Sequence, residues 1–167
     1  MYDELSEDDI QKMKEEIEYR KLVVRKNALE AVKEAREHGD LSENFEYHAA
    51  KKEKNRNESR IRYLERMIRT AKVIEDHSKS DEVGLNNTVT VYFEDEDEEE
   101  TYRIVTTIRE DVLNGRISIE SPVGKALLGH REGDCVHIQV DDHYGYDVKI
   151  IKIEKTTDES EDKIRGF

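Results

Sequence analysis

The chain has 167 residues, of which 41% are charged and 35% hydrophobic, and its formal net charge is −13. That balance argues against one thick globule and suits long exposed helices that each bury only a stripe. No run approaches the roughly 18 apolar residues of a membrane span, and the start, MYDELSEDDI, lacks the apolar stretch of a signal peptide.

Ser6 opens SEDD, with Asp9 three positions on, so acids sit where a first helical turn favours them. Ile10, Met13, Ile17, Val24, Ala28, Ala31 and Ala35 then follow steps of three, four and seven. This is the narrow seam of a coiled coil, polar only near Arg20 and Lys21. It runs without Gly or Pro until Gly39. After the turn HGDLSENFEYHAAK (38–51), a second seam runs through Tyr47, Ala50, Lys54, Asn57, Ile61, Leu64, Ile68 and Ala71. Lys54 and Asn57 are polar within it and suit a register-fixing role. Two such seams joined by a few residues must pack antiparallel. With about 32 residues per arm, the predicted hairpin is roughly 48 Å long.

HSKSDEVGLNN (77–87) breaks the pattern and reads as a linker. Beyond it the period falls to two. TVTVYF (88–93), TYRIV (101–105), RISI (116–119), CVHIQV (135–140) and YDVKIIKI (146–153) are strand candidates. EDEDEEE (94–100) reads as a solvated hairpin end. SPVGKALLG (121–129) reads as a short helix, with Ser121 as N-cap, Pro122 at the first position and Gly129 at the end. The expected organisation is α+β. A coiled-coil hairpin spans 1–76 with its tip at 39–44. The linker follows, then a small, mostly antiparallel sheet domain over 88–155, and a frayed tail over 156–167. The single cysteine, Cys135, excludes an internal disulfide and a cysteine metal site, and reads as a small buried strand residue. We therefore expect a soluble cytoplasmic protein.

The charge is uneven. Residues 1–76 carry 17 basic and 19 acidic side chains, whereas 77–167 carry 11 and 22. Residues 51–72 alone hold nine basic and three acidic ones. One helix is thus basic, while the C-terminal part repels nucleic acid. At the turn two readings stand side by side. Gly39 ends one helix, Asp40 caps the next, and Glu43 completes a capping box. Alternatively, Asp40 and Glu43 share a hard cation with a substrate phosphate, an incomplete site that needs ligands from a partner. Capping can also fix the geometry of such a site, so the two are compatible.

EAREHGDLSENFEYHAAK (34–51) closely resembles the coiled-coil tip of the bacterial Gre transcript-cleavage factors, the GreA type in particular. DEEETYRIV (97–105) and ISIESPVGKALLGHREGDCVHI (117–138) resemble the globular domain of that family. The resemblance covers about residues 8 to 154. It implies an N-terminal antiparallel coiled coil and a C-terminal domain similar to FK506-binding proteins. It also implies a factor that enters the secondary channel of bacterial RNA polymerase and is not itself an enzyme. Such a factor stimulates the polymerase's own cleavage of backtracked RNA. By position, Asp40 and Glu43 match the acids that help hold a shared Mg²⁺. Arg36, Lys51 and Lys52 fall where basic residues face the RNA 3′ end. Glu120, Ser121 and Pro122 match the segment that grips the polymerase, and Ser42 and Asn44 sit where they would position the tip. The implied state is a monomer without membrane contact.

LSEDDIQKMKEEI replaces the usual N-terminal signature, and Phe45 fills a position where a small residue is common. The six histidines read as surface residues rather than metal ligands. The strands lack the aromatic crowd of a proline pocket, so no isomerase activity is expected. Two rival readings remain: a channel-binding regulator or inhibitor without cleavage stimulation, and a structural adaptor whose coiled coil only holds protein partners.

Overall fold

The computed structural model describes residues 3–39, 43–159 and 162–166. Two compact units divide them: Asp9–Ala71, and Asp3–Asp8 with Lys72–Gly166.

The first unit is a helical hairpin. Helix α1 (Glu7–Tyr19) passes through a π-helical turn, Arg20–Val24, into α2 (Arg25–Arg36), and α3 (Phe45–Thr70) forms the other arm. The seam buries Met13, Val32 and Ala35 from the first arm, and Tyr47, Asn57, Ile61, Leu64 and Met67 from α3. Antiparallel packing follows from the pairs that cross it: Arg25 grips Glu58 with two hydrogen bonds of 2.7 and 2.9 Å, and Lys21 meets Glu65 at 2.7 Å.

The first arm departs from the expected seam in one respect. A π turn inserts one residue, so positions beyond it rotate by one place. The inward stripe therefore continues through Val24, Ala28, Val32 and Ala35, while Ala31 points to solvent. The insertion lies where the sequence is polar, at Arg20 and Lys21, and α3 compensates for it. The Arg20 carbonyl accepts from the Arg25 amide five residues on and from Asn57 Nδ2 at 3.3 Å. Arg20 Nη1 donates to Asn57 Oδ1 at 3.0 Å, and Arg20 Nε to Glu16 Oε2 at 2.7 Å. Arg60, 5% exposed, binds both oxygens of Glu16 at 2.7 and 3.1 Å. Burial pushes the Glu16 carboxyl up, but the hydrogen bonds from Arg60 and Arg20 outweigh it and hold the group below its ordinary value.

The second unit is built on a five-stranded sheet. A short parallel pair, β1 (Glu4–Leu5) with β2 (Lys72–Val73), stands apart from it. The main strands are β3 (Thr88–Phe93), β4 (Glu98–Val105), β5 (Arg116–Ser118), β6 (Cys135–Gln139) and β7 (Gly145–Glu154), in the order β5-β4-β3-β7-β6. The pairing is antiparallel throughout except for β4–β5, which is parallel, so the sheet is mostly antiparallel, as expected, with one parallel edge pair. The parallel pair is possible because residues 106–115 cross over in two 3₁₀ turns. Alternation puts Val89, Val91, Ile104, Val136, Ile138, Val148 and Ile150 on one face, where α4 (Pro122–Leu127) adds Leu127.

Three expectations for this unit are corrected. Residues 77–87 are not a bare linker. Val83 and Leu85 enter the core, and the Asn87 side chain accepts from the Gly84 amide at 2.8 Å and donates to the Thr156 carbonyl at 3.1 Å. Turn-forming residues there are used for side-chain to main-chain bonding, not for disorder. Cys135 is exposed, because Val136 and Ile138 are the β6 residues that face the core. The tail, expected to fray, is pinned through Glu159 and Asp162. Arg109 has no exposed surface, and its Nη1 and Nη2 lie 2.8 Å from Asp162 and from Glu159. Arg103 Nη1 meets both Asp162 oxygens at 2.7 and 2.8 Å, and Ser6 Oγ donates to Glu159 at 2.7 Å. A composition rich in acids looks solvated until a buried arginine and a half-buried one require them.

Removing one partner of a buried pair leaves the other charge uncompensated. Asp162→Ala is expected to lower the urea-unfolding free energy by about 3–5 kcal/mol. Lys163→Ala, at an exposed position, should change it by less than about 0.5 kcal/mol.

Candidate tip site of the helical hairpin

The turn between the arms is braced from both sides. After α2, the amides of Glu37 and His38 fold back onto the Glu34 and Ala35 carbonyls at 3.1 and 3.2 Å. Gly39 then takes φ +128°, a conformation that side chains disfavour. On the other side Asn44 is the N-cap of α3, and its Oδ1 accepts from the Tyr47 amide at 3.0 Å. The expected capping box from Asp40 to Glu43 is therefore not the one formed, since the helix begins one residue beyond Asn44. Asn44 does a second job: its Nδ2 donates to the Ala35 carbonyl at 2.6 Å, tying the end of α2 to the start of α3. The Tyr47 ring fills the space beneath, with Val32, Ala35 and Ala50 around it. The small alanines let the arms close on a single ring.

Charged groups complete the brace. His38 Nδ1 lies 2.8 Å from Glu46 Oε2 across the turn. The hydrogen bond to Glu46 and its negative charge push the His38 imidazole above its ordinary 6.5. The Arg36 guanidinium sits 5.5 Å from the centre of the Tyr47 ring, and hydrogen bonding to Arg36 lowers the tyrosine. Nothing in the sequence spacing pointed to these two pairs, because each spans the turn.

Of the residues singled out from sequence, Asp40 and Ser42 lie outside the described residues. Glu43 is exposed and takes part in no hydrogen bond or ion pair among the described residues. Phe45 is 86% exposed, an uncommon state for an aromatic ring. Arg36, Lys51 and Lys52 are exposed on the flanking helices. Among the described residues no group of three or more His, Cys, Asp or Glu is gathered to hold a metal ion. What the described part of the tip offers is the exposed Glu43 carboxylate beside the capped start of α3, with cations behind it.

The other predicted site residues lie in the sheet unit, at the end of β5. Ser121 caps α4 by accepting from the Gly124 amide at 3.0 Å, and its hydroxyl donates to the Ser118 carbonyl at 2.6 Å. Gly124 is required here, since a Cβ would lie 2.1 Å from the Ser118 oxygen. Glu120 is exposed, with its amide on Ser118 Oγ at 3.0 Å and its carboxylate 3.3 Å from Thr107 Oγ1. Pro122 is exposed as well. Ser118, Thr107 and the cap thus hold Glu120–Pro122 in a fixed, outward-facing conformation. Next to it, Ile119 helps line an open apolar groove of about 400 Å³ with Ile74, Leu85 and Leu128.

Residues 4–73 match the family model "Transcription elongation factor, N-terminal", and residues 77–155 match "Transcription elongation factor, GreA/GreB, C-term". The chain is 46% identical over 129 residues to the transcription elongation factor GreA of Brucella anthropi, covering 77% of this chain and 82% of that protein. It is 47% identical over 137 residues to GreA of Thermoanaerobacter pseudethanolicus, covering 81% and 87%. GreA of Streptococcus pneumoniae serotype 19F is 46% identical over 147 residues, covering 87% and 91%. The solved structure of GreA factor homolog 1 from Thermus thermophilus is 28% identical, covers 92% of this chain and 99% of its own, with a TM-score of 0.42. Among the described residues no helix is long and apolar enough to cross a membrane.

Two outcomes test the brace. Asn44→Ala should cost about 1 kcal/mol of hairpin stability in thermal unfolding followed by circular dichroism. The His38 imidazole, followed by NMR, should titrate above 6.5 and fall back in Glu46→Gln. The folded value is the raised one, so the contact contributes fully below pH 6.5 and is lost as pH rises through that value.

Proposed function

Because the chain belongs to the GreA/GreB family of transcription elongation factors, we propose that it acts on bacterial RNA polymerase in the cytoplasm. In this reading it stimulates the polymerase's own cleavage of backtracked RNA and frees arrested complexes. It carries no catalytic centre of its own. The hairpin enters the secondary channel, and the tip reaches the polymerase active centre.

The observation that carries this reading is Glu43. It stands just outside the helix cap, exposed and without a structural partner among the described residues, in the segment that resembles the family's tip. The capping explanation for its presence is removed, because Asn44 performs that task. Glu43 and Asp40 are hard oxygen donors, the class that Mg²⁺ prefers, and one or two carboxylates with partner ligands make an ordinary Mg²⁺ site. The donor set fits a shared ion rather than a resident one. Bound there, Mg²⁺ would supply the positive charge that makes water a nucleophile and stabilises the leaving oxygen. The part of this chain is to place the two carboxylates and orient the water, with Ser42 and Asn44 fixing the turn.

Arg36, Lys51 and Lys52 lie behind the tip and meet the phosphates of the extruded RNA 3′ end. Arg36 is preorganised for that contact by the Tyr47 ring, which limits the side-chain freedom lost on binding. Glu120, Ser121 and Pro122 grip the polymerase from the sheet unit, beside the groove lined by Ile119 and Leu128. The protein acts as a monomer.

The test is cleavage of RNA in purified, backtracked polymerase complexes with Mg²⁺. Asp40→Asn and Glu43→Gln should each reduce cleavage by at least about a hundredfold, the scale of losing a positioned group in the transition state. Polymerase binding and helix content should stay as in the parent protein. Normal cleavage by the double variant would overturn the metal role. Slowed elongation without RNA shortening by the parent protein would make it a channel-blocking regulator instead.

A further inference from the structure

The sheet unit carries a second surface that the proposed function does not use. At the end of β3, the Phe93 ring lies 5.6 Å from the Tyr146 ring, and Tyr146 lies 5.8 Å from Tyr144, with the planes tilted by 33° and 43°. Tyr144 remains 57% exposed. These rings form the wall of a cavity of about 450 Å³, and Asp95, Glu96 and Asp147 complete its lining with His137. His137 Nδ1 lies 2.8 Å from Asp147 and Nε2 2.7 Å from Gln139 Oε1, so the imidazole is tied down by two acceptors. Even a protonated His137 leaves carboxylates in excess at the rim. The mouth adjoins the run Glu94–Glu100, acidic at every position and exposed throughout.

Register separates this cavity from the Glu120–Pro122 segment. Phe93 pairs with Glu98 at one end of the β3–β4 hairpin, whereas Val105 pairs with Ser118 at the other end of β4. The two surfaces therefore occupy opposite ends of the sheet.

Aromatic rings beside an excess of carboxylates recognise one class of group. The ring faces attract a cation, the carboxylates neutralise it, and the same rings cover an aliphatic stem. Anions are excluded by the rim, and a neutral apolar group would leave the acids desolvated without compensation. Between the two protein cations, a planar guanidinium both stacks on a ring and forks onto a carboxylate. We propose that this cavity is a docking site for an arginine side chain presented by a basic segment of a protein partner. The inference stands independently of the cleavage reading, since it uses none of the same residues.

The experiment uses the full chain, labelled for NMR, at low salt. The probes are a capped pentapeptide with a central arginine and its counterpart with citrulline, which has the same shape without the charge. The arginine peptide should give saturable shifts centred on Phe93, His137, Tyr144 and Tyr146, and bind roughly tenfold more tightly than the citrulline one, as a cation held by rings and carboxylate requires. Tyr144→Ala should weaken the arginine peptide by about fivefold, while Tyr144→Phe, which keeps the ring, restores it. Equal binding of the two peptides would overturn the proposal. So would shifts spread along Glu94–Glu100 that are indifferent to Tyr144→Ala, since these report only a diffuse acidic surface.

Discussion

The helical hairpin depends on where its two arms stop sliding. A seam of small and medium apolar residues has little to distinguish one register from another, because displacing an antiparallel pair by a heptad buries similar groups. The carboxylate of Glu16, clasped between Arg60 and Arg20, removes that freedom. Any slip would leave Arg60 buried without its anion, which costs several kcal/mol, whereas the correct register satisfies it. Asn57 adds a second lock by bonding the carbonyl that the π turn exposes. The π turn and the polar layer are thus one feature. The Arg20 carbonyl keeps the Arg25 amide as its π-helical partner, and the polar layer adds Asn57 Nδ2 as a second donor to the same oxygen. Fixing the register determines which residues form the turn, and so which carboxylates stand at its end.

The helix ends on either side of that turn are tied together. Asn44 ties both helix ends, Tyr47 fills the gap between them, and His38–Glu46 and Arg36–Tyr47 close the sides. Every one of these side chains is occupied. Glu43 and Phe45 are exposed beside them.

The hairpin was legible in the sequence because helical period and the absence of Gly and Pro are local signals. So were the β3 boundaries and the Ser121 cap. What was illegible depends on pairs distant in sequence. Ala31 and Val32 exchange places because of an insertion that only Asn57 and Glu16 make favourable. Asp40 looked like a cap because acid followed by Glu three residues later is a capping pattern, yet Asn44 had a carbonyl at Ala35 to bind as well. The tail looked frayed because Glu159 and Asp162 are ordinary acids until Arg103 and Arg109 are brought to them from 50 or more residues away. Cys135 looked buried because alternation gives two faces and does not say which of them is inward. At the tip, the motif was readable, but the pairs that tie the flanking helix ends together were not.

The sheet unit is fixed by the same means as the hairpin. Beside its apolar core, the buried Arg109 in the crossover after β4 binds the buried carboxylates of Glu159 and Asp162 and ties the tail to that crossover. One consequence is that both ends of the sheet can carry exposed functional groups without loosening. At one end, the Ser118–Ser121 bonds hold Glu120 outward; at the other, the β3–β4 and β6–β7 turns hold three rings and their acids. Both ends present carboxylate, and this half of the chain holds twice as many acidic as basic residues. A surface of that sign repels a polyanion, whereas residues 51–72 of the other arm carry nine basic and three acidic side chains, so the two units carry charge of opposite local sign.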